Sequence, residues 1–578
     1  MKDFVKTSIL VILFLGILLL TAIFITRTTQ RVADIILYNG IVHTLNPAQP
    51  KAEAIAISGS RILGVGSSAE VRSAYTAKRE IDLQGRAVFP GFIDAHAHVV
   101  ELGASLSTLN LVGTRSAEEI AEMVKQRAAQ SSPGTWINGR GWDQNDWAVQ
   151  QFPTHEILDR AAPNNPVYLI RIDGHAVWVN ARALEIAHIT RETADPPGGK
   201  ILRDIHGNPT GVLVDAAVEL LAPYVPPPTE AEVREAVKRA TSLCAKLGIT
   251  EVHDMGADSR VIAIYKDLVD HHELPIRLYV AINGEGEAWD AFLKSGPLID
   301  YGDGMLTVRS IKLFADGALG SRGAALIDPY SDDPGNRGLT LMSTDEIVAV
   351  AKTALQHGFQ VCTHAIGDRA NHIVLNAYER ALQETGKLGT DHRFRIEHAQ
   401  VLDSADIPRF RELGVVPSMQ PTHATSDMPW AERRLGTQRV RFAYAWRSLL
   451  ETGVHIAAGS DFPVEDPNPL LGLYAAVTRE DANGNPPGGW HPEQRMTMEE
   501  ALRAFTTWAA EAAFQEHKKG MIAPGQWADL VVLDHDVMNV SPESAYVLPS
   551  TKVVITFVGG TVVYQQNELA EVSHEIRR

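Results

Sequence analysis

Eight short apolar runs, spread through the middle of the chain and separated by helical stretches, restrict the fold more than any other feature. They are "GFIDAHAH" (91–98), "ITEVHDMG" (249–256), "IRLYVAI" (276–282), "VRSIKLFADG" (308–317), "FQVCTHAIGD" (359–368), "RFRIEHAQ" (393–400), "GVVPSMQP" (414–421) and "VHIAAGSDFP" (454–463). Apolar runs of this length alternating with helices are the pattern of a parallel sheet covered by helices. Eight is the number that closes a (β/α)8 TIM-like barrel, here expected over residues 89–520. Residues 100–245, with "VYLIRIDGHAVWVN" and the turn-rich "GGKILRDIHGNPTGVLVDAA", do not fit the count and read as a large insertion after the first strand. The stretches 31–88 and 521–578 carry short alternating strands with hairpin dipeptides such as Asn39-Gly40 and Gly559-Gly560. They are expected to form one β-sandwich from both chain ends. "GVGSSA" (64–69) imitates a dinucleotide fingerprint, but its neighbours are hairpin strands rather than a βαβ unit.

Residues 8–25, "SILVILFLGILLLTAIFI", carry no charge and would cover about 27 Å as a helix, enough for a bilayer core. No Ala-x-Ala cleavage site follows, so the expectation for residues 1–30 is a transmembrane anchor, with a removed signal peptide and secretion as the alternative. A short tail left in the cytoplasm would place the catalytic domain outside it, periplasmic in a bacterium. The net charge of −17 excludes nucleic acid as a partner. Two cysteines, Cys244 and Cys362, both in apolar surroundings, exclude a disulfide framework and a thiolate zinc site.

Ligand-type residues gather at the carboxyl ends of the eight runs, where barrel active sites sit. His96 and His98 are two apart on the first, so they leave one strand face about 6.6 Å apart and could grip one metal ion. Lys312 lies in the fourth run, His364 ends the fifth, His398 the sixth, and Asp461 the eighth. Any one of them alone reads as a structural residue. Six on five strands, facing one mouth, would be desolvated without partners unless a metal held them.

"PGFIDAHAHV", "IKLFADGALGSRGAAL", "THAIGDRAN", "RIEHAQ", "AAGSDFPVEDPNPL", "MEEALRAFTTWAA" and "GMIAPGQWADLVVLD" resemble the amidohydrolase superfamily. More narrowly the chain resembles its third amidohydrolase family, the branch that includes N-substituted formamide deformylase, from about residue 33 to 565. The resemblance implies a distorted barrel with a sandwich from both chain ends, and it permits a homodimer. It implies that His96, His98 and Asp461 hold one metal and His364 and His398 a second, both zinc by ligand type. Lys312 matches the lysine that related enzymes convert with CO2 into a bridging carbamate.

The activity implied is hydrolysis of a non-peptide C–N bond, in an amide or an N-acyl or N-formyl amine, by hydroxide generated on the metals. Asp461 would accept its proton and pass it to the leaving amine. An aminohydrolase (deaminase) is disfavoured, because Gly367 stands where its glutamate would be, three residues after His364, and Lys312 is present. Esterase activity is a further alternative, and a membrane-anchored binding protein without catalysis is the rival from another class. His175, Arg322 and His423 are candidates for substrate contact, with loop hydrogen bonding as the plainer reading of each.

Overall fold

The structure is a computed structural model that describes residues 30–566 and 572–573, apart from 145–146, 172–175, 197–198 and 321. Its centre is a sheet of parallel strands: β1 (Phe92–Ala97), β2 (Ile249–Ala257), β3 (Arg277–Asn283), β4 (Leu306–Phe314), β5 (Gln360–Ala365), β6 (Arg395–His398), β7 (Val416–Met419) and β8 (Ala457–Ala458). Each pairs in parallel with the next, in chain order. Every residue of β1 is buried, as a strand must be when one face meets helices and the other the barrel interior.

β8 is much shorter than the apolar run that foreshadowed it. Beyond Ala458 the chain leaves the ladder, and the seam to β1 is closed by two backbone bonds instead. Asp461 N donates to His96 O at 2.7 Å and His98 N to Phe462 O at 2.9 Å. Gly459 permits this approach: a Cβ there would stand 2.6 Å from both Asp94 Oδ1 and His96 N. The barrel is therefore nearly closed, with the seam at the carboxyl ends of its strands.

Helices α1 (Glu230–Lys246), α2 (Ser259–Asp270), α3 (Glu287–Ser295), α4 (Thr344–His357), α5 (Asp368–Glu384), α6 (Ile407–Leu413), α7 (Pro421–Arg439) and α8 (Pro469–Thr478) cover the outside. Their starts are set by local chemistry. Thr229 with Glu232, and Ser343 with Glu346, form capping boxes that satisfy the free N–H groups of α1 and α4. Val233, Val237, Ala240 and Cys244 then turn one stripe of α1 onto the core shared with the barrel strands.

Between β1 and α1 the chain builds a separate six-stranded sheet from short strands between Leu109 and Asp215. Trp142, Trp147 and Trp178 lie in its core. Two further sheets, of five and six strands, come from both ends of the chain. In the six-stranded one, Leu530–Leu533 pairs antiparallel with Ala87–Pro90. Leu37, Ile55, Ile57 and Ile81 from one sheet meet Val88, Leu530, Val532 and Phe557 from the other, all within 2% of full burial.

The expectation of a membrane anchor, and with it a catalytic domain held outside the cytoplasm, is corrected here. Among the described residues no helix is long and apolar enough to cross a membrane. The longest of these helices, α7 at 19 residues, is polar and carries Asp427, Glu432, Arg433, Arg434 and Arg439. Residues 8–25 themselves lie outside the described residues.

Candidate metal centre

The carboxyl ends of the strands converge on Asp461. Its Oδ1 lies 3.2 Å from His98 Nε2 and 3.5 Å from His96 Nε2, and its Oδ2 lies 3.6 Å from His423 Nε2. Lys312 Nζ, buried, is 3.4 Å from His96 Nε2. The His398 ring stands 4.7 Å from that of His96 and 4.6 Å from that of His364, centroid to centroid. All six strand-end residues thus meet at one mouth.

Backbone geometry delivers them. Strand alternation puts Asp94 and His96 on the interior face of β1, with His98 just past its end. On β6 the same alternation gives the interior to Arg395 and Glu397. His398 then reaches the mouth by leaving strand geometry, with φ at 73°, and Asp461 sits at φ 60°. Left-handed backbone at non-glycine residues is strained and is retained where the surroundings over-determine it.

Two of the imidazoles are oriented by a second group. His96 Nδ1 donates to Glu397 Oε2 at 2.6 Å, which leaves Nε2 as the lone-pair atom facing Asp461. His398 Nδ1 donates to Gln420 Oε1 at 2.8 Å, with the same consequence. Asp316 Oδ1 is 3.5 Å from His364 Nε2 and is itself held by backbone N–H groups of Ala325, Ile366 and Gly367. Asp94 accepts from Ser460 Oγ at 2.6 Å, bracing the turn that carries Asp461. Sequence reasoning missed Glu397, Gln420 and Asp316. Glu397 had a signal, being one residue before His398 in "RIEH", but an acidic residue there reads as an edge charge.

Behind Glu397 a buried chain of charges runs down the barrel interior. Arg395 Nε meets Glu397 Oε1 at 2.8 Å, and Arg395 NH1 donates to His253 Nδ1 at 2.9 Å. His253 Nε2 in turn contacts Glu251 Oε1 at 3.2 Å, and Glu251 pairs with Lys519. No member of this chain exceeds 2% exposure.

The electrostatics suit cation binding. Burial, reinforced by the Lys312 charge, lowers His96 to about 4 and His364 to about 3. Burial and the neighbouring His364 take His398 well below the usual imidazole range. These rings are therefore neutral at neutral pH, the state in which a histidine ligates. Burial alone would raise Asp461, but His96, His98 and His398 more than reverse it and hold the carboxyl well below its ordinary range. Burial lowers Lys312.

The residues present fit a metal. Among the described residues, two groups have all their ligand atoms within 4.8 Å of one another: His96, His98 and Asp461, and His398, His423 and Asp461. His364 Nε2, His423 Nε2 and Asp461 Oδ1 are buried without a hydrogen bond. Ligands bound at 2.0–2.1 Å in a tetrahedron stand about 3.3–3.5 Å apart. The 3.2–3.6 Å separations around Asp461 match that spacing and are mostly too long for hydrogen bonds.

The three candidate substrate contacts divide. His423 reaches the centre. Arg322 does not offer a free guanidinium, since it forks onto Asp332 through Nε at 3.1 Å and NH2 at 2.9 Å. His175 lies outside the described residues. Asp368, four residues beyond His364, accepts from Ile327 N at 2.8 Å and so holds a neighbouring loop. A groove of about 280 Å³ lined by Lys246, Asn468, Thr551 and Lys552 holds none of these residues.

Comparison with known proteins gives relatives that span most of the chain. The model of a family described as "Amidohydrolase family" matches residues 79–564. The putative amidohydrolase YtcJ of Bacillus subtilis is 34% identical over 92% of this chain and 99% of its own length. N-substituted formamide deformylase of Arthrobacter pascens is 29% identical over 92% of this chain and 98% of its own. Among solved structures, an uncharacterized metal-dependent hydrolase from Pyrococcus horikoshii superposes with a TM-score of 0.73 at 28% identity. That match covers 88% of this chain and 99% of the other.

Proposed function

Since the chain belongs to the amidohydrolase family and is a hydrolase of that kind, we propose that it cleaves a carbon–nitrogen bond other than a peptide bond. The substrate class is an amide or N-acyl amine. The observation that carries this reading is the convergence of imidazoles on both oxygens of one buried carboxylate, Asp461.

His96, His98 and Asp461 would hold one divalent ion, and His364 and His398 a second. When bound, such ions, zinc by the character of the donors, polarise a carbonyl and make water a nucleophile at neutral pH. Lys312, if its Nζ in the neutral form added to CO2 and lost a proton, would offer those ions an anionic carbamate in place of an amine. Glu397 and Gln420 hold the rings of His96 and His398 so that Nε2 points at the centre. Asp461, kept ionised by its histidines, takes the proton of the attacking water and returns it to the leaving nitrogen. That return matters because an amide nitrogen leaves poorly unless protonated.

The test is turnover by zinc-loaded protein of N-formyl, N-acetyl and longer N-acyl amines. The formyl compounds head the series, because a relative over most of the chain acts on N-substituted formamides. Release of a primary amine from at least one is expected. Ammonia release from amino-substituted heterocycles, with no N-acyl amine cleaved, would refute the reading in favour of deamination.

A further inference from the structure

β7 contributes nothing to the metal set assigned above, yet the chain that leaves it enters the centre. Gln420 caps α7, Pro421 opens it, and His423 follows within the first turn. One short turn thus supplies both the amide that orients His398 and a further imidazole. The His423 and His398 rings lie nearly parallel, 19° apart with centroids at 5.8 Å. His423 Nε2 is buried without a hydrogen bond, and its nearest acidic partner is Asp461 Oδ2 at 3.6 Å.

That length decides between two roles. A neutral or protonated imidazole seeking a carboxylate closes to about 2.9 Å or less, as His96 does on Glu397 at 2.6 Å. Two donors sharing one tetrahedral ion stay about 3.3–3.5 Å apart. Asp461 shows the same wide spacing on its other oxygen, toward His96 and His98. We propose that His423 is a metal ligand, joining His364 and His398 at the second metal position on the Oδ2 side of Asp461. Loop hydrogen bonding and substrate contact do not explain why this Nε2 is buried, unpaired and aimed at the carboxylate.

The inference rests on the metal reading of the centre, and the test separates the two. Full-length protein and its His423→Ala and His423→Gln variants are stripped with a chelator, checked for native circular dichroism, and reloaded with Zn2+ or Co2+. Metal per chain is measured after gel filtration, and the Co2+ visible spectrum is recorded. The wild-type chain is expected to retain close to two ions. His423→Ala should lose about one of them, or bind it at least tenfold more weakly, with a changed cobalt spectrum. His423→Gln, which keeps a neutral donor oxygen, should recover part of the loss. Variants that retain wild-type stoichiometry and an unchanged cobalt spectrum, even with reduced turnover, would overturn this inference alone. Wild-type protein that takes up no metal would overturn the proposed function as well.

Discussion

Replacing Glu397 by glutamine probes the centre from behind. The carboxylate is fully buried and both oxygens are engaged: Oε1 with Arg395 Nε at 2.8 Å, and Oε2 with His96 Nδ1 at 2.6 Å and Arg395 NH2 at 3.0 Å. An amide keeps one acceptor oxygen where two were used. If its NH2 turns toward Arg395, two donors collide. If it turns toward His96, Nδ1 must accept, the ring proton moves to Nε2, and the ligating lone pair is lost. In either arrangement the Arg395 charge stays in the barrel interior without its counterion. Breaking a buried pair in this way costs about 3–5 kcal/mol, roughly a 150- to 5000-fold shift in the unfolding equilibrium. Loss of the group that orients a ligand weakens metal binding about 10–100-fold. The assay is urea unfolding of metal-free protein followed by tryptophan fluorescence, with Glu397→Gln, Arg395→Met and the double variant compared. The double variant should recover much of either single loss, because it leaves no lone buried charge. Strictly additive losses, or Glu397→Gln with wild-type stability and metal affinity, would refute the reasoning.

Lys312→Ala should lose bound metal and activity together, and short carboxylic acids should partly restore both; full activity in that variant would make Lys312 an ordinary core lysine. Asp461→Asn should slow amide turnover by about 10²–10⁴-fold but an activated ester of the same acyl group less, read from paired rates; equal losses would mean Asp461 does not protonate the leaving group. Burial raises Glu397, but Arg395 and His96 reverse this and hold it well below its usual 4.5. Its stabilising contribution is then complete above that value and lost as pH falls through the folded pKa. Stability of the wild type should therefore decline more steeply in acid than that of the Glu397→Gln, Arg395→Met double variant, as parallel urea titrations from pH 6 downward would show. Gly459→Ala should impair closure of the barrel seam and reduce metal content, which elemental analysis of the purified variant checks.

The barrel was legible because its strands are buried on both faces and so appear as short, largely apolar runs, all eight of which form strands at the expected places. The gathering of ligand-type residues at the mouth was legible for the same reason: a histidine or aspartate ending such a run stands out. What could not be read was anything that depends on a left-handed backbone or on contacts across the barrel. His398 by strand alternation alone should face the helix layer, and only its φ of 73° brings it inward. Glu397 and Arg395 look like paired surface charges until β1 and β2 close around them. His423 follows a proline in a polar stretch, and its position depends on α7 starting immediately at the strand end.

The antiparallel pairing of Ala87–Pro90 with Leu530–Leu533 joins residues roughly 440 positions apart. On the ribosome, at about 5–20 residues per second, the first strand waits some 20–90 s for its partner. Throughout that interval Ala87–Pro90 presents an unpaired, wholly apolar sheet edge, a template for association with other nascent chains. The barrel floor is completed equally late, because Lys519 must arrive before the Glu251 carboxylate has its counterion. The base of the barrel is thus completed after the mouth, whose last strand-end residue is Asp461.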